Sequence, residues 1–468
     1  MKTAGPRASL AALGCLLLAG CFSAAPPRLP QLRVPAQYGA GAATPPAVVA
    51  LGIADPARES IGQSWWQGFG DVRLTHLVER VLAVNADLVS AGLRLRRARL
   101  EAGLARNDQW PQPSATVDAS ASRALNTEAA VQRSSDATVS LSWEIDLWGR
   151  LRAARDVAQW EAQASVQDRE NTALALVGEV CEQYWRLAYL NQSIAAGQAY
   201  LTQLVRILQL VRVQFAAGAA ALLAVREAEQ NLAAQRIAQS QLSQERAEVR
   251  NALTVLLDGQ TWSPDEEPLN LAVAHRPVIA AGLPAELLGR RPDLRAAELR
   301  LRKALASIQA TVRSYYPALT LTGSAGTSST SLTDVLRNPL GTLGAGLTLP
   351  FLNIPRMQLA TDVARTDYEI AVSDFRSTLY TALQDVENAL HARAQLTIQL
   401  VAAQHAFEAA QEIERLYGVQ YRAGAVALRT WLDAQQTRRD AELALAQVER
   451  DQLLNDVTLH LALGGEAD

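Results

Sequence analysis

The chain has 468 residues, 49% of them hydrophobic, a length that ordinarily holds about three globular domains of ~150 residues each. A formal net charge of −3 with no basic block excludes an electrostatic nucleic-acid surface, and the Arg94–Arg97 run reads as a solvated helix face. Of the three cysteines only Cys181 lies beyond the first 21 residues, which excludes an intrachain disulfide framework there.

Residues 1–20 read as a targeting segment. Lys2 and Arg7 precede the apolar run Leu10–Ala19, which is too short to span a bilayer as a mature helix. The run ends Leu18-Ala19-Gly20-Cys21, small residues before a cysteine at the spacing of a bacterial lipoprotein signal. That reading makes Cys21 the lipidated mature N-terminus; the alternative is an ordinary signal peptide with an incidental cysteine. Phe22 follows, where an aspartate would resemble an inner-membrane retention signal, so outer-membrane sorting is expected. Residues 21–64 are rich in proline and alanine and read as an extended arm.

Trp65-Trp66 opens a folded region, residues 65–260. A short helix is expected over 71–84 and a longer one over 87–107, with Asp87 as its N-cap. Trp110-Pro111-Gln112-Pro113 stops the second helix, and the hydrophobic period changes to two. Val117, Ala119 and Ala121 alternate with Thr116, Asp118 and Ser120 in a strand near 114–122. Val139, Leu141, Trp143 and Ile145 do the same near 137–145. Strands of about ten residues fit either an exposed hairpin or a pair that crosses a membrane at a tilt.

A helix then runs over about 150–215. Val180, Leu187, Ile194, Leu201, Leu208 and Phe215 recur at a seven-residue step, with Val177, Tyr184 and Val205 between them, a coiled-coil-like seam. At 1.5 Å per residue such a helix reaches about 99 Å, too long for a globule. Gly218 ends it, and a return helix follows over about 222–257. Residues 261–292, with Pro264, Pro268, Pro277, Pro284 and Pro292, read as a connector.

The chain then repeats itself at a constant offset of 206 residues. Asp87-Leu88 matches Asp293-Leu294, Leu93-Arg-Leu-Arg96 matches Leu299-Arg-Leu-Arg302, and Trp110-Pro111 matches Tyr316-Pro317. Arg150 matches Arg356, Gly218 matches Gly424, and Gly259 matches Gly465. The second copy, residues 293–466, has strands near 318–325 and 343–351, a long helix near 357–421 and a return near 426–463. The two shorter helices of each copy, stacked end to end, nearly equal the long one. Four strands cannot close a barrel alone, and an open edge cannot sit in lipid, so a membrane role requires several copies.

No enzyme motif is present. There is no phosphate-binding loop, no His-Glu-x-x-His and no Gly-x-Ser-x-Gly, and Gly341–Gly346 alternates with Leu343 and Leu347 as a strand does. The five histidines have no ligand spacing, so no metal site or cofactor is expected, and two methionines cannot form a soft-metal relay. Cys181 beside Val180 reads as helix packing.

Taken together, the Leu18–Cys21 signal, the duplication, Trp143-Glu-Ile-Asp-Leu-Trp-Gly-Arg150, the turn Tyr421-Arg-Ala-Gly424 and Trp431-Leu-Asp-Ala-Gln435 resemble the TolC-like outer membrane factor family. The likeness is to its lipoprotein branch, the OprM and NodT group. It implies a mostly α fold with a transmembrane β-barrel: a homotrimer with twelve strands, four per protomer, above a periplasmic α-barrel of long helical hairpins. It implies an exit duct of a tripartite efflux system in the outer membrane, carrying drugs or other small toxic compounds and contributing to antibiotic resistance. The duct would be anchored by lipid on Cys21 and opened by a periplasmic adaptor and a proton-driven inner-membrane pump. The adaptor would dock on the tips Gly218-Ala219 and Arg422, Gly424 and Ala425. Asp433, with Arg429 and Glu227 near it, matches the family position that rings the closed aperture; an Asp433–Arg429 pair along one helix is the plainer alternative. The competing architectures are a periplasmic coiled-coil scaffold without a pore and a type I protein-secretion duct.

Overall fold

The computed structural model describes residues 32–35, 47–49, 64–124, 130–272, 284–329 and 339–465. The leader, Cys21 and residues 273–283 of the connector lie outside the described residues. Within the N-terminal arm, β1 (Leu32–Val34) and β2 (Ala47–Val49) pair antiparallel.

Helix α1 (Val72–Val84) starts because Asp71 Oδ1 accepts the free N–H groups of Arg73 at 2.8 Å and Leu74 at 3.2 Å. Helix α2 (Ala86–Asn107) is capped by Asn85, two residues before the expected Asp87. Asn85 is extended, and its Oδ1 reaches the N–H groups of Asp87 and Leu88, while Asp87 sits in the first turn where its charge suits the helix dipole.

Strands β3 (Gln112–Ser122) and β4 (Gln132–Ile145) follow. The ladder takes in Gln132–Asp136, which the apolar alternation missed because backbone pairing with Asp118–Ser122 holds these polar residues. Helix α3 (Arg150–Ala216) has 67 residues, about 100 Å, and α4 (Leu222–Leu256) returns along it. Helix α5 (Pro292–Ser314), strands β5 (Ala318–Ser329) and β6 (Pro339–Thr348), helix α6 (Ile354–Arg422, 69 residues) and helix α7 (Leu428–Ala462) form the second copy. β6 stops at Thr348 rather than near 351 because a 3-10 turn opens on Pro350, which has no N–H to donate.

The duplication holds in three dimensions. β3 and β5 begin 206 residues apart, and α4 and α7 share both ends at that offset. The sheet order is β3-β4-β5-β6, antiparallel throughout, with β3 and β6 as open edges. The helical layer follows the same order. α2 and α4 lie on one side of α3, α5 and α7 on its other side, and α6 packs beyond them on α5 and α7. The stacked pairs are joined end to end: Asn85 Nδ2 donates to Leu256 O at 3.0 Å, and Arg291 Nη1 donates to Ala462 O at 3.2 Å. Those two bonds occupy equivalent positions in the two copies.

The strand-to-helix hinge explains the Trp143–Arg150 motif. Glu144 takes a two-pronged ion pair from Arg150, and Asp146 caps α3 by accepting from the N–H groups of Leu151 and Arg152. Trp148 Nε1 donates across to Pro317 O at 2.9 Å. Gly149, at φ 74°, makes the corner.

The main core lies at the middle of the helical layer. Trp65, Trp66 and Phe69, with Leu74, Leu77, Val78 and Val81 of α1, cover Val180, Tyr184, Trp185 and Leu187 of α3 and Leu253 of α4. The connector is pinned there by buried Glu267, which accepts from Arg246 at 2.8 Å and forms an ion pair with Arg250 at 2.9 Å. Below it the buried stripe of α3 is Ser193, Gly197, Tyr200, Leu204, Ile207 and Val211. Leu208 of the seven-residue series stays buried, but Phe215 at its end and the intervening Val205 are exposed. A helix near 3.6 residues per turn drifts about 20° per heptad against a strict seven-step, so that series leaves the intraprotomer face. Among the described residues no helix is long and apolar enough to cross a membrane.

Candidate functional site

The helical hairpins end at two tips. At the first, Gly218 (φ 71°) lets the N–H of Ala219 reach Gln214 O at 2.8 Å and its own N–H reach Phe215 O, satisfying the last carbonyls of α3. Gly424 (φ 75°) repeats this at the second tip, with Ala425 N–H on Gln420 O at 2.9 Å. Nothing lies within 4 Å of where a Cβ would stand on either glycine, and Ala219, Arg422 and Ala425 are exposed. Both turns are thus bare protrusions held by their own backbone.

One helical turn inward, Arg429 on α7 lies 3.7 Å from Glu227 on α4 and 3.7 Å from Asp433 on its own helix. The three residues that the sequence singled out therefore form one cluster that crosses between the two copies of the repeat. Arg429 and Asp433 are each about 70% exposed, whereas Glu227 is mostly covered, at 17%. Exposed pairs at this separation hold weakly, at about 0–1 kcal/mol, so the cluster is an arrangement that modest forces rearrange.

Firmer contacts surround it. Glu229 accepts from Arg212 at 2.8 Å and from Arg226 at 2.8 Å, and these two guanidiniums hold its carboxyl below the usual range. Arg438 bonds Glu414 at 2.6 Å and Glu442 at 3.0 Å, tying α6 to α7. Tyr421 stacks on Trp431 with ring centroids 5.2 Å apart, and its hydroxyl donates to Gln214 at 3.5 Å, linking both tips. Trp431 packs close over Gly418, where a Cβ would meet its indole nitrogen at 3.1 Å. Sequence reasoning did not single out this aromatic clasp; its signal was Tyr421 and Trp431 standing where the first copy has Phe215 and Val225.

Deeper in the wall, Arg439 is 3% exposed and lies over the Tyr200 ring at 5.3 Å. Burial lowers its affinity for a proton and raises the Tyr200 hydroxyl to about 12. Cys181 is fully buried, and desolvation pushes its thiol up, so it packs rather than reacts. No group of three or more metal-ligating side chains occurs among the described residues.

A duplicated chain whose four-stranded sheet runs straight into long helical staves belongs to the class of sheet-and-stave membrane ducts. The family model for the outer membrane efflux protein matches residues 77–259 and 283–465, and this chain belongs to that family. It is an outer-membrane efflux channel, as the members of that family are. It is similar to the pyoverdine export outer membrane protein OpmQ of Pseudomonas putida, at 32% identity over 90% of this chain and 92% of the relative. The toluene efflux pump outer membrane protein TtgC of P. putida is 31% identical over 97% of this chain and 94% of its own length. The solved outer-membrane channel OprN superposes with a TM-score of 0.77 at 26% identity, over 94% of this chain and 99% of that one.

Proposed function

We propose that three copies close into one tube that serves as the passive exit duct of a tripartite efflux system. The observation that carries this is the coincidence of open edges. The sheet ends at β3 and β6, and the helical layer ends on the same two sides, at α2 with α4 and at α6. Unpaired strand edges are not tolerated in hydrocarbon, and joining β6 of one copy to β3 of the next removes them all. Three copies supply twelve strands and a wall of stacked and single staves.

In this reading the tips face the periplasm. Gly218, Ala219, Arg422, Gly424 and Ala425 take a periplasmic adaptor, and energy comes from a proton-driven inner-membrane pump. Asp433, brought toward the axis once per copy with Arg429 and Glu227 behind it, constricts the resting aperture. Three carboxylates at one constriction repel each other and draw cations, so their pairing with Arg429 sets how readily the end opens. Cys21 carries the lipid that anchors the N-terminus to the outer membrane. Relatives are named for export of pyoverdine and for efflux of toluene, which supports drugs or other small toxic compounds as cargo.

The test is the purified full-length protein in planar bilayers. Discrete ion conductance from a species of trimer mass, with acyl groups on Cys21 in the intact mass of each chain, is expected. A folded protein that does not conduct overturns the channel reading, and an unmodified Cys21 overturns the anchor.

A further inference from the structure

The two copies of the repeat meet inside one protomer along the α3–α5 seam, where two close ion pairs and two longer ones, at 3.9 and 4.0 Å, cross between the helices. Arg300 on α5 makes a two-pronged bond to Asp168 on α3, with Nη1 3.0 Å from Oδ1, and Lys303 Nζ lies 2.9 Å from Glu161. The same two surfaces exist a second time without their counterpart. Shifted back by 206 residues, Arg300 and Lys303 become Arg94 and Arg97 on α2. Shifted forward by 206, Asp168 and Glu161 become Asp374 and Asp367 on α6. All four side chains are exposed, and they lie on the two opposite open edges of the protomer. Arg97 reaches only Glu101 on its own helix, at 2.8 Å.

Charge type is kept at all four positions although most other residues differ between the copies. At the same offset the longer Arg97 takes the place of Lys303 and the shorter Asp367 the place of Glu161. A third internal pair, Arg295–Glu170, maps onto Val89 and Arg376 and has no counterpart.

We infer that the seam between neighbouring copies of this chain repeats the seam inside each copy, with Arg94 paired to Asp374 and Arg97 to Asp367 of the next copy. This rests on the reading that the copies self-associate, and it adds which residues meet. The strands follow the same rule. Within the protomer Leu141 lies opposite Gly323 and Val139 opposite Ala325. Carried over by the offset, Leu347 of β6 lies opposite Val117 of the next copy's β3, Ala345 opposite Ala119, and Leu343 opposite Ala121. Val117, Leu343 and Leu347 are apolar and exposed in the isolated protomer, at 81%, 92% and 64%. The ion pairs set register and reject mismatched edges, while the strand ladder and apolar stave edges hold the contact.

Two measurements on the full-length protein in detergent test this. Charge reversal in Asp367→Arg/Asp374→Arg is expected to raise the monomer fraction several-fold by native mass spectrometry with helix content unchanged. Adding Arg94→Asp/Arg97→Asp is expected to restore the trimer. Oxidation of Val117→Cys/Leu347→Cys should give chains linked to trimer size on a denaturing gel, because directly opposed strand residues come within disulfide reach. Val117→Cys/Leu343→Cys, four residues out of register, should not link. A trimeric wild type with the off-register pair linked instead, or with the charge swap giving no rescue, overturns the inferred seam alone. A wild type that remains monomeric overturns the seam and the self-association reading together.

Discussion

His460, near the end of α7, offers a sharp test of how the middle of the wall is built. It is 1% exposed, stacked on Trp65 with centroids 4.7 Å apart and rings 20° from parallel, and neither ring nitrogen has a hydrogen-bond partner. Burial, and secondarily the positive charge of Arg393, lowers its pKa from 6.5 to about 4. The folded protein therefore holds this imidazole neutral where the unfolded chain already binds a proton. The unfolded state carries more protons between pH 6.5 and 4, so the contribution is fully present above pH 6.5 and lost as pH falls through that window. At pH 5 the loss is about 2 kcal/mol per protomer, since each pH unit below the unfolded pKa counts about 1.4 kcal/mol. In His460→Leu that pH-dependent loss disappears. At pH 7.5 the variant stays near wild type, because no hydrogen bond is removed and only ring stacking, about 1 kcal/mol, is given up. Denaturant unfolding followed by tryptophan fluorescence at pH 7.5 and 5 reads both values, since Trp65 and Trp185 lie in the same core. An identical pH dependence in wild type and His460→Leu refutes the reasoning.

Two helix glycines make opposite predictions. Gly103→Ala in α2 has nothing within 4 Å of the new methyl and should stabilise by about 1 kcal/mol through helix propensity. In Gly178→Ala the new methyl runs into Cγ and both Cδ atoms of Leu461 of α7, so overpacking of about 1–3 kcal/mol outweighs that gain and the denaturation midpoint falls. Gly424→Ala places a Cβ on a residue at φ 75° with open space around it; unfolding should show a loss of about 1–2 kcal/mol from backbone strain alone, and less for Gly424→Asn. Asp433→Ala, on a side chain 70% exposed, should leave stability within about 0.5 kcal/mol yet raise resting conductance in bilayers; unchanged conductance counts against its role at the aperture.

How far the site was legible follows from its chemistry. The tip turns were readable because an αL residue after a long helix asks for glycine, and Gly218 and Gly424 stand at equivalent places. The Arg429–Asp433 spacing was readable because four residues make one helical turn. Glu227 could be named from its place beside the first tip, but its 3.7 Å approach to Arg429 depends on how the return helices α4 and α7 converge. The Tyr421–Trp431 clasp and the burial of Arg439 over Tyr200 were not legible, since both depend on which faces of different helices turn toward each other.

By itself the sequence determined the period, the punctuation and the repeat. Helix length follows from the absence of proline, strand identity from two-residue alternation, and the second half from a shift of 206 residues, all local or self-referential properties. Only the tertiary structure decided the order of the staves, the stripe of α3 that is buried, the capping of α2 by Asn85, and the two open edges. Those depend on small rotations accumulated over some 67 residues of helix and on backbone partners far away in the chain, which no local pattern encodes.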